Sequence, residues 1–230
     1  MNSTTLGDLF RADTTDNVTP YLWTDVEMYA YMNDAYYMFV RRTGGIPDYY
    51  NDKVCLVTAK KDVETSKLHP KILFVRTASL EPKGETVKVI NLQDEPWLQD
   101  EDYNLVRQMS VSKTVGKVRY LVIGIQDDIA KWVNIPDVDY QVRLAVERLP
   151  LDDITGPGQD FEDVKDHHHM YFLCWMKHLA YSKQDADTFN KVKADEESAK
   201  FLAYCASARQ EKEQYKHKVR VVRYGGLYTP

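Results

Sequence analysis

The chain has 230 residues, of which 43% are hydrophobic and 28% charged, with a net charge of −5. That is enough chain to bury a core in one domain or two modest ones, and the acidic balance gives no global reason to expect a nucleic-acid binder. No run of about 18 apolar residues occurs, so the sequence predicts no membrane-spanning helix.

The N-terminus, MNSTTLGDLFRADTTD, lacks the charged-then-apolar pattern of a secretion signal. Cys55, Cys174 and Cys205 are odd in number and far apart, which excludes a disulfide framework and suits a reducing compartment. Both observations predict a protein made and kept in cytoplasm, or in a particle assembled there. Tyrosine is in excess, 16 residues against 7 phenylalanines, and its apolar ring with a polar tip suits half-buried contact surfaces. Charge is uneven. Residues 91–166 carry 16 acidic against 8 basic side chains, whereas residues 207–230 carry 6 basic against 2 acidic. A basic tail beside an acidic body suits docking on an acidic partner, and equally a solvated terminus.

The first strong element opens at Thr24. Thr24-Asp25-Val26-Glu27 fits a capping box, and Gly44-Gly45 followed by Pro47 supplies a stop, so a helix is predicted over 24–43. A core stripe of Val26, Tyr29, Ala30, Tyr36, Tyr37 and Val40 leaves Met28, Tyr31, Met32, Met38 and Phe39 off it. A helix apolar nearly all round must be covered on more than one face, by its own core or by a neighbouring subunit.

From 54 to 149 the pattern turns to strands: VCLVTA (54–59), ILFVRTA (72–78), TVKVI (86–90), VRYLVIGI (118–125) and YQVRLAV (140–146). Turn formers separate them, and the carboxylate pairs Asp127-Asp128 and Asp152-Asp153 fit turns for backbone reasons. Five such runs predict a small antiparallel sandwich or barrel. The interval 94–109 could hold a helical turn.

After the linker LPLDDITGPGQD (149–160), helical pattern runs from Asp163 to Ser182. A further helix is predicted from Asp185 or Asp187, with Phe189, Val192, Ala199, Ala203 and Ala206 on its core steps. A short connection makes the two an antiparallel hairpin. The predicted class is therefore α+β. A helical bundle is formed by 1–48 and 160–215, a sandwich- or barrel-like domain is inserted over 49–159, and an extended arm follows at 216–230. The arm sequence KHKVRVVRYGGLYTP has the content of a strand that pairs with the parent sheet or adds to a partner's edge, or else frays.

No phosphate loop, dinucleotide fingerprint, nucleophile elbow or HExxH motif is present, and no catalytic residue, metal site or cofactor is predicted. His167-His168-His169 point about 100° apart on a helix and cannot grip one ion from one face; with Asp163 and His178 near, they still leave a metal-dependent hydrolase as a rival reading. A solvated helix start is the default for the triplet, and a small buried hydrophobe for Cys174.

Three stretches carry a resemblance. LWTDVEMYAYMNDAYYMFVRRTGGIPD (22–48) resembles the first helix of tailed-bacteriophage head–tail connector (adaptor) proteins. LAYSKQDADTFNKVKADEESAKF (179–201) is similar to that family's turn between two helices, and VRVVRYGG (219–226) to its basic, glycine-ended C-terminal arm. The middle of the chain resembles nothing in the family, and the histidine triplet departs from its more acidic helix start. The resemblance implies a structural virion protein, not an enzyme. It would form a homo-oligomeric ring, a dodecamer, that docks on the portal protein and presents a platform to the tail nozzle or tail-tube protein. DNA passes through its channel without sequence-specific binding, and it would sit at the head–tail junction after assembly in host cytoplasm. By role, Val219, Arg220, Val221, Val222, Arg223 and Tyr224 would form the portal-binding arm. Trp23, Asp25, Asn33, Asp34, Tyr36 and Tyr37 would serve the bundle and subunit interface. Ser182, Gln184, Asp185 and Asp187 would fix the helix turn, with ordinary capping as their plain alternative. The other readings are a stopper, tail terminator or other collar protein, and a plain host interaction module.

Overall fold

The computed structural model describes residues 1–92, 114–184 and 188–217. The chain divides into two compact units, one comprising Met1–Gly44 with the described residues from Asp152 on, the other Gly45–Leu151.

The first unit is helical. α1 (Ser3–Asp13) precedes the strongest sequence signal and was not predicted. Its marks are nonetheless plain: Asn2 caps it by accepting from Thr5 N at 3.0 Å, and Leu6 and Phe10 bury one stripe at four-residue spacing. α2 (Asp25–Arg42) begins at the capping box, with Thr24 and Glu27 bonding reciprocally. It stops where Gly44 and Gly45 take φ of +83° and +82°. At Gly45 a Cβ would also come within 2.8 Å of Glu147 Cβ.

The buried face of α2 differs from the predicted stripe. Met28, Met32, Ala35, Tyr36, Phe39 and Val40 face the core, while Val26 is exposed. Spacings of four, three, one, three and one make a continuous seam along one side. That seam turns the larger Met and Phe side chains inward in place of Val26, Tyr29 and Ala30.

The helix predicted over 163–182 is broken in two, α4 (Asp166–His169) and α5 (Phe172–Ser182). α6 (Lys191–His217) begins later than predicted and is capped by Asn190, whose Oδ1 accepts from Lys193 N at 3.0 Å. α5 and α6 run antiparallel, as the pairings Tyr171 with Tyr204, Trp175 with Phe201 and His178 with Ala194 require. The seam of α6 is Ala194, Glu197, Phe201, Cys205 and Ala208. Phe189, Val192, Ala199, Ala203 and Ala206 all face solvent. The prediction followed the alanines. Phe201 fixes the true face instead, because its ring lies 5.0 Å from that of Trp175 and buries far more area than an alanine can.

The core of this unit is aromatic. Tyr36, Phe39, Phe161 and Phe172 meet at centroid distances of 5.2–5.8 Å. The predicted linker is pinned here. Asn33 donates to Ile154 O at 2.8 Å and accepts from Ile154 N at 2.7 Å, and Ile154 is buried.

The second unit is a curled sheet, a half-barrel. In chain order it has β1 (Ile46–Asp48), a helical turn α3 (Asp52–Cys55), β2 (Leu56–Ala59), β3 (Thr65–Lys67), β4 (Ile72–Leu80), β5 (Glu85–Asn91), β6 (Val115–Gly116), β7 (Tyr120–Gln126), β8 (Ile129–Val133), β9 (Ile135–Pro136) and β10 (Tyr140–Arg148). Residues 46–48, grouped with the helices in the sequence reading, are strand here and pair with β10. The order is β1-β10-β4-β5-β7-β8-β3, with β2 also on β10, and β6 pairs β9 separately.

Two predicted features differ. All strands but β6 and β9 belong to one curled sheet, not to two facing sheets. The pairing is also not all antiparallel, because β5 and β7 run parallel with Val89 opposite Leu121. Nearly thirty residues separate these two strands, ample for the crossover that parallel neighbours need. β7 accordingly buries Leu121, Val122 and Ile123 in succession, on both faces, where an antiparallel strand with one wet face would alternate. β10 does alternate, turning Val142, Leu144, Val146 and Arg148 inward. The buried Arg148 donates to Asp48 at 2.6 Å. Burial alone would raise the Asp48 carboxyl, but Arg148 and the amides of Asn51 and Tyr50 hold it below its ordinary value. β8 was missed although Asp127-Asp128 form the turn before it, Asp128 at φ +55°.

Candidate interaction surface

The helical unit brings four segments to one end: the loop 14–24, the start of α2, the end of α5 and the start of α6. A buried ion pair holds the loop. Arg11 donates to Asp16 at 2.8 Å, to Trp23 O at 3.2 Å and to Asp25 at 2.5 Å. Asp16 in turn accepts from the amides of Leu22 and Trp23, and the Arg11 guanidinium stacks 3.6 Å over Tyr21. These partners satisfy the charges that burial would otherwise penalise. Trp23 then packs edge-on to Phe10 and Tyr181, which ties loop, α1 and α5 together. Lys183 pairs with Glu27 at 2.6 Å and holds its carboxyl below the ordinary value, and Asn190 N donates to Tyr181 O. Lys193 lies over the Tyr181 ring.

The same segments expose apolar side chains beside polar ones such as Asn17, Thr24, Asp25, Gln184, Asn190 and Lys193. Val18, Leu22, Val26, Phe189 and Val192 are all exposed, Val26 at 79% and Val192 at 69%. Each comes from one of the segments just tied together. Single exposed apolar residues are ordinary, but five on segments tied to one another make this end of the unit the candidate contact surface. The sequence reading assigned Val26 to the core stripe, so its exposure here is a correction, while Met28, Met32 and Phe39 from off that stripe are buried. Arg11 and Asp16, which build the site's frame, went unremarked, because a five-residue Arg–Asp spacing has no signature of its own.

The residues assigned to the bundle and subunit interface lie as follows. Trp23 and Tyr36 are buried, Asp25 binds Arg11, and Asn33 clamps Ile154. Asp34 accepts from Trp175 Nε1 at 2.6 Å. Tyr37 donates to Asp153 at 2.7 Å, and burial together with that bond pushes its hydroxyl up. Ser182 donates to His178 O, as a helix end does, and Gln184 is exposed. Asp185, Asp187 and the arm residues 219–224 lie outside the described residues, as does the interval 94–109.

The histidine triplet is not a solvated helix start. His167 is exposed, but His168 is half-buried between Phe39 and Tyr204, with Nδ1 2.8 Å from the Tyr204 hydroxyl. His169 is buried against Phe161 and Phe172, its ring nitrogens 3.1 Å from Met1 O and 2.8 Å from Val164 O. The break after His169 lets the triplet turn inward. Burial, aided by the neighbouring positive charges, pushes His168 down to about 4. Among the described residues no group of three His, Cys, Asp or Glu is placed to hold a metal ion.

Cys174 is half-buried beside Glu197, not fully buried as predicted. Burial and then the Glu197 charge push its thiol up to about 11. Cys205 rises to about 12 and Cys55 to about 11, chiefly by burial. All three are thiols at neutral pH, the opposite of an activated nucleophile. No described helix is long and apolar enough to cross a membrane. No family model matches the chain, and no curated protein sequence matches it.

Proposed function

We propose that the chain is a structural assembly subunit, a head–tail adaptor of a tailed bacteriophage, and not an enzyme. The observation that carries this reading is the exposure of Val18, Leu22, Val26, Phe189 and Val192 on segments tied together by the Arg11–Asp16 and Lys183–Glu27 pairs. A surface of that kind gains free energy when a partner removes it from water. The raised thiols and the inward-turned histidines agree with it, since neither offers activated chemistry.

In this reading the two chain ends form a bundle that carries the inserted half-barrel unit. Copies of the chain close into a ring, a dodecamer, at the head–tail junction, assembled in host cytoplasm. The ring seats on the portal protein, continues the DNA channel without reading sequence, and receives the tail nozzle or tail-tube protein. Val219–Tyr224 serve as the portal-binding arm, and Ser182, Gln184, Asp185 and Asp187 shape the α5–α6 turn beside the contact surface.

Co-sedimentation of the purified chain with the portal ring of the same phage tests the reading, beside a chain ending at Lys216. Stoichiometric binding by the full chain and none by the shortened one is the expected result. Failure of both to bind portal sinks the adaptor reading and moves the protein to a collar position away from the portal.

A further inference from the structure

The sheet of the second unit splits near one end. β5 pairs β4 only over 85–87, opposite 78–80, and then turns to pair β7 over 88–91. Residues 72–77 of β4 therefore have β10 on one side and, among the described residues, no paired strand on the other. β7 widens the split. Its register with β8 shifts between Val122 and Gln126, and Gly124 there takes φ of +82°. A cavity of about 200 Å³ opens where the strands part. Leu68, Val75 and Ile123, all buried, and Ile72 and Ile129, half-buried, give it apolar walls.

Asn91 and the β7–β8 turn, with Gln126, Asp127 and Asp128, supply the polar lining, and no basic residue lines the cavity. Turn geometry accounts for an aspartate at position 128, whose φ is +55°. It leaves both carboxylates without an ion pair or a side-chain hydrogen bond among the described residues. Asp48, Glu64, Glu85 and Glu147 of the same unit, by contrast, each have a basic partner. Lys67, beyond the turn, lines the neighbouring hollows and not this one. An apolar recess whose charged lining is two unneutralised carboxylates favours positive charge carried on an apolar body.

We propose that this cavity binds a small organic cation, an ammonium or guanidinium group on a short apolar stem. The head meets the Asp127 and Asp128 carboxylates in charge-assisted hydrogen bonds, and the stem leaves water against Leu68, Ile72, Ile123 and Ile129. A bare metal ion is disfavoured, since two carboxylates fall short of a hard cation's ligand count and the apolar walls offer it nothing. A free amine and a lysine or arginine side chain of a partner polypeptide share the proposed chemistry, and the test separates them. The proposal goes beyond the adaptor reading and does not rest on it, because every lining residue belongs to the sheet unit.

The test is titration of phenethylammonium into the isotope-labelled full chain, followed by amide chemical shifts. Phenethyl alcohol (neutral), phenylacetate (anionic) and methylammonium (stemless) run beside it as controls, with a capped Gly-Val-Arg-Val-Gly peptide as a further probe. Phenethylammonium should bind with a Kd below about 1 mM, its shifts gathered at 72–75 and 124–129, and the controls should bind about tenfold more weakly or worse. Asp127→Asn/Asp128→Asn should raise the Kd about tenfold or more at unchanged thermal midpoint, asparagine being tolerated at positive φ. A peptide tighter than the free ammonium assigns the site to a partner's basic side chain, and a weaker one to a free amine. If no shifts gather at the cavity, it holds water alone and the proposal fails. Equal binding of the alcohol or of phenylacetate, or indifference to the double substitution, would each overturn it as well.

Discussion

The two units solve the burial of charge in different ways, and the difference separates framework from contact surface. In the helical unit polar groups tie the loops: the buried pair Arg11 with Asp16, the amide of Asn33 on Ile154, and the half-buried pair Lys183 with Glu27. Val18, Leu22, Val26, Phe189 and Val192 are left outside. In the sheet unit the interior is almost wholly apolar, with Arg148–Asp48 as its buried pair. One unit thus uses buried polar ties to hold its loops, and the other relies on apolar packing between strands.

Core truncations should have the largest effects. Phe172→Ala removes a fully buried ring from the aromatic cluster and should cost about 3–5 kcal/mol in urea unfolding. Exchange protection lost within α5 rather than β10 would sharpen the contrast between units, and uniform loss would break it. Asp16→Ala leaves Arg11 buried with one partner fewer and frees two amides. A loss of about 3 kcal/mol is expected, and a cost below about 1 would show that the pair frames nothing. Asn33→Ala deletes both bonds to Ile154 and should cost about 1–2 kcal/mol, with proteolysis appearing first in 150–160.

His168 gives a smaller effect with a definite sign. Its folded value is pushed down to about 4, so between about 4 and the ordinary 6.5 the unfolded chain binds more protons. Stability from this group is fully present above 6.5 and falls as pH drops through that window, by about 1 kcal/mol after discounting for partial solvent access. His168→Gln should flatten the difference in urea midpoint between pH 7 and pH 4.5; an unchanged slope would assign it to other groups.

Some of this was legible in the sequence. The capping box at Thr24 and the glycines after Thr43 act within a few residues of themselves, so they bound α2 at both ends. The strong β-branched runs became β4, β5, β7 and β10. What escaped depends on distant partners. β3, with sequence Thr-Ser-Lys, is a strand because β8 lies beside it, and nothing in its own three residues says so. The face of α6 is set by Trp175, which turns Phe201 inward and leaves the alanines in water. His169 reads as a polar helix start until the carbonyls of Met1 and Val164 close around it. Of the contact surface nothing was placed correctly from the sequence, since Val26, Phe189 and Val192 all read as core positions and are exposed.

The central claim is that the exposed apolar end of the helical unit is an assembly surface, and Val26→Asp/Val192→Asp tests it most directly. Both side chains face solvent, so stability should stay within about 0.5 kcal/mol of the parent. The measurement is the mass of the portal ring after incubation with each chain, by mass photometry. The account predicts a full complement of copies added by the parent chain and a partial or empty complement with the double variant. A full complement with both would contradict it.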